Sequence, residues 1–230
     1  MSTPPLAAPV VLILALLCDE QLYRDMMTLL GDTIEPHVLL LPKSTLEDSV
    51  ADILRRAPAR FALVGTSCGG NLAMEVAPAT HVRVTALWLM GCNPAAPQAG
   101  SPDLAGGLEA TPDPVFEMLA GLVVHKDGAL TMPTLVLWGE QDALAPVAVG
   151  QALAAALQRA QFEVLPGCGH LPTLEMPKES AAMFAELLKT AYVHVTLRTP
   201  RLCLAPTGGL NKPAALGERV SRLRPYRLAD

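Results

Sequence analysis

Charge is scarce in this 230-residue chain: 17% of residues are Asp, Glu, Lys or Arg, against 51% hydrophobic. Composition of that kind excludes a chain disordered throughout, and the length suffices for one domain with a real core. Basic residues are scarcest in the main body. Residues 1–190 carry 10 Lys and Arg against 20 Asp and Glu, whereas 191–230 carry 7 against 2. An acidic body lacks the positive footprint that a phosphate backbone or an anionic membrane selects, so neither nucleic acid nor membrane is an expected partner. No apolar run is long enough to span a bilayer. Val10 to Leu17 comes nearest, but it has no Lys or Arg before it and no small residue at the Leu17-Cys18 step for signal cleavage, so it reads as a buried strand. The five cysteines are odd in number and form no C-x-x-C pair. That argues against a disulfide framework and a structural metal, and for a reducing cytoplasm.

What is present is an alternation of strand-like and helix-like segments. Val10 to Leu16 precedes an amphipathic stretch over 20–30. His37 to Leu41 precedes a helix that Thr45-Leu-Glu-Asp48 starts and Pro58 stops. Phe61 to Val64 leads through Gly65 into a helix over 68–77, and Val84 to Met90 follows. Thr134 to Trp138, a helix over 147–157, Phe162 to Leu165 and a last helix from Pro177 to about Lys189 complete the series. Strands apolar throughout are covered on both faces, which predicts an α/β fold: a mostly parallel, doubly wound sheet of about six strands with helices on both faces. Ligands in such folds collect beyond the carboxyl ends of the strands. The domain is expected over 1–190. Residues 93–131, with five prolines and one helix-like stretch over 115–124, read as a small lid insertion. Residues 191–230 read as a basic, Pro- and Arg-rich extension.

The most informative stretch is Phe61-Ala-Leu-Val-Gly-Thr-Ser-Cys-Gly-Gly70, which sets G-x-S-x-G at Gly65, Ser67 and Gly69 between a strand and a helix. A sharp strand-to-helix turn presents a serine hydroxyl clear of packing, and the flanking glycines let backbone approach closely. Without that context the pattern is equally a glycine-rich β-α turn.

These residues resemble the α/β-hydrolase family, and the resemblance extends over about residues 9–189. The family orders its catalytic residues nucleophile, acid, base. Thr134-Leu-Val-Leu-Trp-Gly-Glu-Gln-Asp142 is similar to its acid loop and Glu163-Val-Leu-Pro-Gly-Cys-Gly-His170 to its histidine loop. The resemblance therefore implies a catalytic triad of Ser67, Asp142 and His170, with Glu140 as a competing carboxylate. It also implies an oxyanion hole formed by the backbone amides of Cys68 and Leu16. Family members often carry glycine where this chain has Ala15; if that turn needs a positive φ, alanine costs about 1 kcal/mol and displaces the amide.

The implied activity is that of a serine esterase on small-molecule carboxylic esters, through an acyl-enzyme and with no metal or organic cofactor. Phe116, Met118, Leu119, Leu122 and Val123 are candidate acyl-pocket residues, and a small lid favours short to medium acyl chains. Lactonase, amidase or aminopeptidase activity on the same fold is an alternative, as is a non-catalytic ligand-binding protein. Cys18, Cys68, Cys92 and Cys168 fall just beyond strand ends without ligand spacing and read as small apolar fillers.

Overall fold

Runs in which nearly every residue is apolar can be buried only between two layers; four of them become the central strands, and two more mixed runs, Ile34–Leu39 and Ala160–Leu165, become the edges. The computed structural model describes residues 7–39, 45–92 and 130–198, all within one compact unit, Met1–Arg198. Strands β1 (Ala8–Ile13), β2 (Ile34–Leu39), β3 (Phe61–Thr66), β4 (Val84–Met90), β5 (Thr134–Gly139) and β6 (Ala160–Leu165) form one sheet in the order β2-β1-β3-β4-β5-β6. Every pairing is parallel. The helices are α1 (Gln21–Leu30), α2 (Leu46–Arg56), α3 (Cys68–Ala79), α4 (Val147–Ala156), α5 (Pro172–Glu175) and α6 (Pro177–Arg198).

Alternate residues along each strand feed two separate cores. On one face Val11, Ile13, Leu63, Leu87, Leu89 and Trp138 pack with Ile53 of α2, Leu72 of α3 and Leu153 of α4. On the other, Val10, Leu12, Val64, Trp88 and Leu137 pack with Tyr23 and Met26 of α1 and Phe184 and Leu187 of α6. The Phe184 ring stacks on Trp88 at 4.7 Å between centroids. Right-handed crossovers explain the division: the path from β1 to β2 steps one way along the sheet and all later crossovers step the other way. The direction reverses between β1 and β3, and in doubly wound sheets ligands bind at that reversal.

Several expected boundaries shift. β1 ends at Ile13, so Leu14, Ala15 and Leu16 belong to the loop that follows. β2 begins at Ile34 and contains Pro36, which an edge strand tolerates because one side of its ladder is unpaired. The side chain of Thr45 caps α2 by accepting from the Asp48 amide at 3.1 Å, as its sequence leads one to expect. Helix α5 is an unexpected single turn, and α6 continues nine residues past Lys189, with Ala191 buried in the second core. Residues 93–129, which include Phe116, Met118, Leu119, Leu122 and Val123, and residues 199–230 lie outside the described residues. Among those described, no helix is long and apolar enough to cross a membrane.

Candidate active site

Ser67 stands between β3 and α3 at φ 55°, ψ −125°, in the left-handed region that few residues other than glycine enter. Such strain, on the order of 1–3 kcal/mol, persists only where neighbours hold it. Here the Ser67 amide donates to the Met90 carbonyl at 2.8 Å, and the Ser67 carbonyl accepts from Gly70 and Asn71 at 2.9 and 3.1 Å. Gly65 and Gly69 make the turn possible by lacking side chains. A methyl group on Gly65 would collide with the Gly69 carbonyl, and one on Gly69 would lie 2.5 Å from the carbonyl oxygens of Ile13 and Leu14. The Ser67 hydroxyl does not cap α3, and no hydrogen bond joins it to another described residue.

The loops after β5 and β6 bring Asp142 and His170 together. His170 Nδ1 lies 2.9 Å from Asp142 Oδ1 and 2.8 Å from Oδ2. The Asp142 side chain is fully buried and that of His170 is 17% exposed. Asp142 is held in turn by the amides of Leu144 and Ala145, both donating to Oδ1 at 2.9 Å. The Trp138 indole donates to the Ala145 carbonyl at 2.8 Å and fixes the end of that turn. A carboxylate in this position only accepts, so Nδ1 donates, and in the neutral ring Nε2 is then the acceptor. Glu140 points elsewhere: its Oε2 accepts the Gly167 amide at 3.0 Å and ties the two loops to each other.

Two further groups set the imidazole, and neither was singled out by sequence reasoning. Glu175, on α5, accepts from Gly169 at 2.7 Å and from Leu171 at 2.9 Å, bracketing His170 on both sides. Gly91, just past β4 at φ +51°, lies under the ring: a methyl group there would sit 3.0 Å from Cε1 and Nδ1. Met90, the residue before Gly91, is the one that receives the Ser67 amide. The ring and the elbow thus share the carboxyl end of β4, although no serine-histidine hydrogen bond is formed.

The loop after β1 turns at Ala15–Cys18, closed by a Cys18 amide bond to the Ala15 carbonyl at 3.2 Å. Its positive φ falls on Leu17, at 62°, and not on Ala15. The alanine is therefore unstrained, correcting the expected conflict at that position. Leu16 is half exposed and Leu17 almost fully so. Cys68 is half buried; its thiol is pushed up by burial, partly opposed by backbone amides of Leu16, Gly69 and Cys68 itself that turn toward the sulfur. The amides of Leu16 and Cys68 thus both lie near the Cys68 sulfur.

Cys18, Cys68, Cys92 and Cys168 are all unpaired. Among the described residues no three His, Cys, Asp or Glu side chains converge as metal ligands would.

No protein-family model matches the chain. It is 36% identical over 58 residues to monoacylglycerol lipase abhd6-B of Xenopus laevis, a match covering 25% of this chain and 17% of that protein. It is 38% identical over 61 residues to a 2-hydroxy-6-oxononadienedioate/2-hydroxy-6-oxononatrienedioate hydrolase of Cupriavidus pinatubonensis, covering 26% and 21%. The chain thus matches about a fifth of the length of these curated relatives. Among solved structures, a thermophilic esterase from Thermogutta terrifontis superposes with a TM-score of 0.59 at 20% identity, over 80% of this chain and 90% of that one. A meta-cleavage product hydrolase from Pseudomonas fluorescens gives 0.58 at 17% identity, over 80% and 92%. Identities this low speak to architecture alone.

Proposed function

Starting from the α/β-hydrolase fold that these likenesses show, we propose that the chain is a serine hydrolase acting on carboxylic esters through an acyl-enzyme. The observation that most supports this reading is the Asp142–His170 pair, with Nδ1 2.8 Å from a fully buried carboxylate. It lies at the same end of the sheet as the turn that carries Ser67. In this reading His170 Nε2 takes the Ser67 proton as Oγ bonds to the ester carbonyl carbon. Asp142 holds the ring's tautomer and stabilises its cationic form. The carbonyl oxygen becomes an oxyanion received by the amides of Cys68 and Leu16. Collapse breaks the bond to the alcohol, which leaves with the proton from His170. Water then attacks the acyl-enzyme by the same relay, releasing the acid and restoring Ser67.

The chemistry needs no metal or organic cofactor. Substrates of short to medium acyl length and a cytoplasmic setting belong to the same proposal, the latter supported by the four unpaired cysteines. The test pairs fluorophosphonate labelling with p-nitrophenyl acetate, butyrate and octanoate, a lactone and an aminoacyl anilide, with Ser67→Ala as control. Labelling and ester turnover in the wild type, with turnover lowered at least a thousandfold in Ser67→Ala, are expected. Preference for the lactone or anilide would move the assignment to that bond. Maximal turnover at a long acyl chain would overturn the short-chain preference. Absence of label on folded wild type would point to a ligand-binding protein.

A further inference from the structure

Three elements meet at the carbonyl of Ile13, the last residue of β1. Tyr23, on the buried face of α1, donates its hydroxyl to that oxygen at 2.7 Å. Gly69, in the first turn of α3, approaches the same oxygen so closely that a methyl group would lie 2.5 Å from it. The Tyr23 hydroxyl also lies 2.9 Å from Thr66 Oγ1, and Thr66 immediately precedes Ser67. Both Tyr23 and Thr66 are completely buried.

The protons in this cluster can be assigned. Burial raises the phenol well above its ordinary value, so it keeps its proton through the neutral range. A carbonyl can only accept, so the single phenolic proton goes to Ile13 and the Tyr23 oxygen accepts from Thr66. The other acceptor near the Thr66 hydroxyl, Met90 Sδ at 4.0 Å, is the weaker one. Met90 meanwhile receives the Ser67 amide through its carbonyl. One phenol therefore joins the strand end three residues before Leu16 to the residue just before Ser67. A phenylalanine would fill the ring's space, so packing alone does not account for the hydroxyl.

We propose that Tyr23 is a positioning residue for the reaction described above, its hydroxyl setting the Leu16 amide against the nucleophile turn. This inference rests on the acyl-enzyme reading. Tyr23 touches no reacting atom and acts through Ile13 and Thr66. Two donors aimed at a developing oxyanion matter more to the tetrahedral species than to the bound ester, so loss of alignment lowers kcat and spares KM.

The test uses the full chain as wild type, Tyr23→Phe, Thr66→Val and the double variant. Each is assayed with p-nitrophenyl acetate and with a small alkylboronic acid, which adds to serine as a tetrahedral anion, and active sites are counted by fluorophosphonate. Tyr23→Phe is expected to lower kcat per labelled site about tenfold with KM within about twofold, and to weaken boronic acid inhibition about tenfold. Thr66→Val should move both readouts the same way, and the double variant should fall short of the summed effects because both changes break one bridge. Should Tyr23→Phe fail to fold, Thr66→Val carries the test. Unchanged kcat and inhibition per labelled site in folded variants would overturn the inference even if melting temperature fell. A wild type that neither labels nor turns over ester would remove the hydrolase reading and this inference with it.

Discussion

Leu17 bears a left-handed φ of 62° beside the site with its side chain almost wholly in water. Nothing buried depends on that side chain, so the strain can be relieved without repacking. Leu17→Gly should raise the melting temperature by about 2 °C, because the left-handed conformation costs a leucine roughly 1 kcal/mol that glycine avoids. Leu17→Val should lower it, since branching at Cβ crowds the same conformation further. Thermal unfolding of the pair checks both signs. At this scale legibility follows from whether a residue type advertises its role. Ser67, Asp142 and His170 stand in local patterns that resemble those of α/β-hydrolases, and the structure brings Asp142 and His170 together as their loops lead one to expect. Leu17 does not, because a leucine carries no hint of positive φ. Nor does Tyr23, whose partners Ile13 and Thr66 are 10 and 43 residues away.

Helix α5 is one turn long, yet it holds the histidine loop through a single carboxylate. With Glu175 accepting the amides of both residues that flank His170, its removal frees the ring while leaving the Asp142 contact able to form. With His170 as the base proposed above, Glu175→Ala is expected to lower kcat on p-nitrophenyl acetate by about 10- to 100-fold with little change in KM, since small misplacements of a base are costly. Glu175→Gln should fall between, because an amide can accept one of the two N–H groups but turns a donor toward the other. Steady-state kinetics on both variants decide the matter, and wild-type kcat in Glu175→Ala would show that the clamp is idle. The central strands were legible because burial on both faces leaves a sustained apolar run, and α1 and α2 because a helical period separates their buried from their exposed residues. The start of β2 was hidden by Glu35 and Pro36, neither of which resembles strand sequence. The turn at α5 is too short to show a period. The end of α6 was masked by Val193, Val195 and Thr196, β-branched residues that weaken helix propensity without stopping the helix.

Alkaline sensitivity belongs to the molecule as a whole, because several acids are buried uncharged. Burial pushes the Cys92 thiol up to about 12 and the Cys168 thiol up to about 11, from about 9 when exposed. The Tyr23 phenol is raised as well. Each group is neutral while protonated, so the folded chain holds these protons more tightly than the unfolded one does. Stability from this source is complete below about pH 9 and is lost as pH climbs through the folded values. Melting temperature measured from pH 7.5 to 10.5 should therefore decline above about pH 9, and Cys92→Ala should decline less steeply. A profile flat to pH 10.5 would contradict the assignment. That the sheet is parallel could be read from the alternation of elements. The order β2-β1-β3 could not, since each strand is compatible with either neighbour until the handedness of the crossovers and the packing of α1 and α6 on one face select among the options.

The outermost strand has a consequence for behaviour in concentrated solution. An unpaired rim of backbone invites a second chain to zip on, and long flat rims seed aggregates. Among the described residues β2 forms one such rim, and in it Pro36 supplies no amide proton while Glu35 and Pro36 are both exposed. A visiting strand would find a gap in the donor ladder next to a negative charge, so the proline that obscures this strand to inspection also makes it a poor template for self-association.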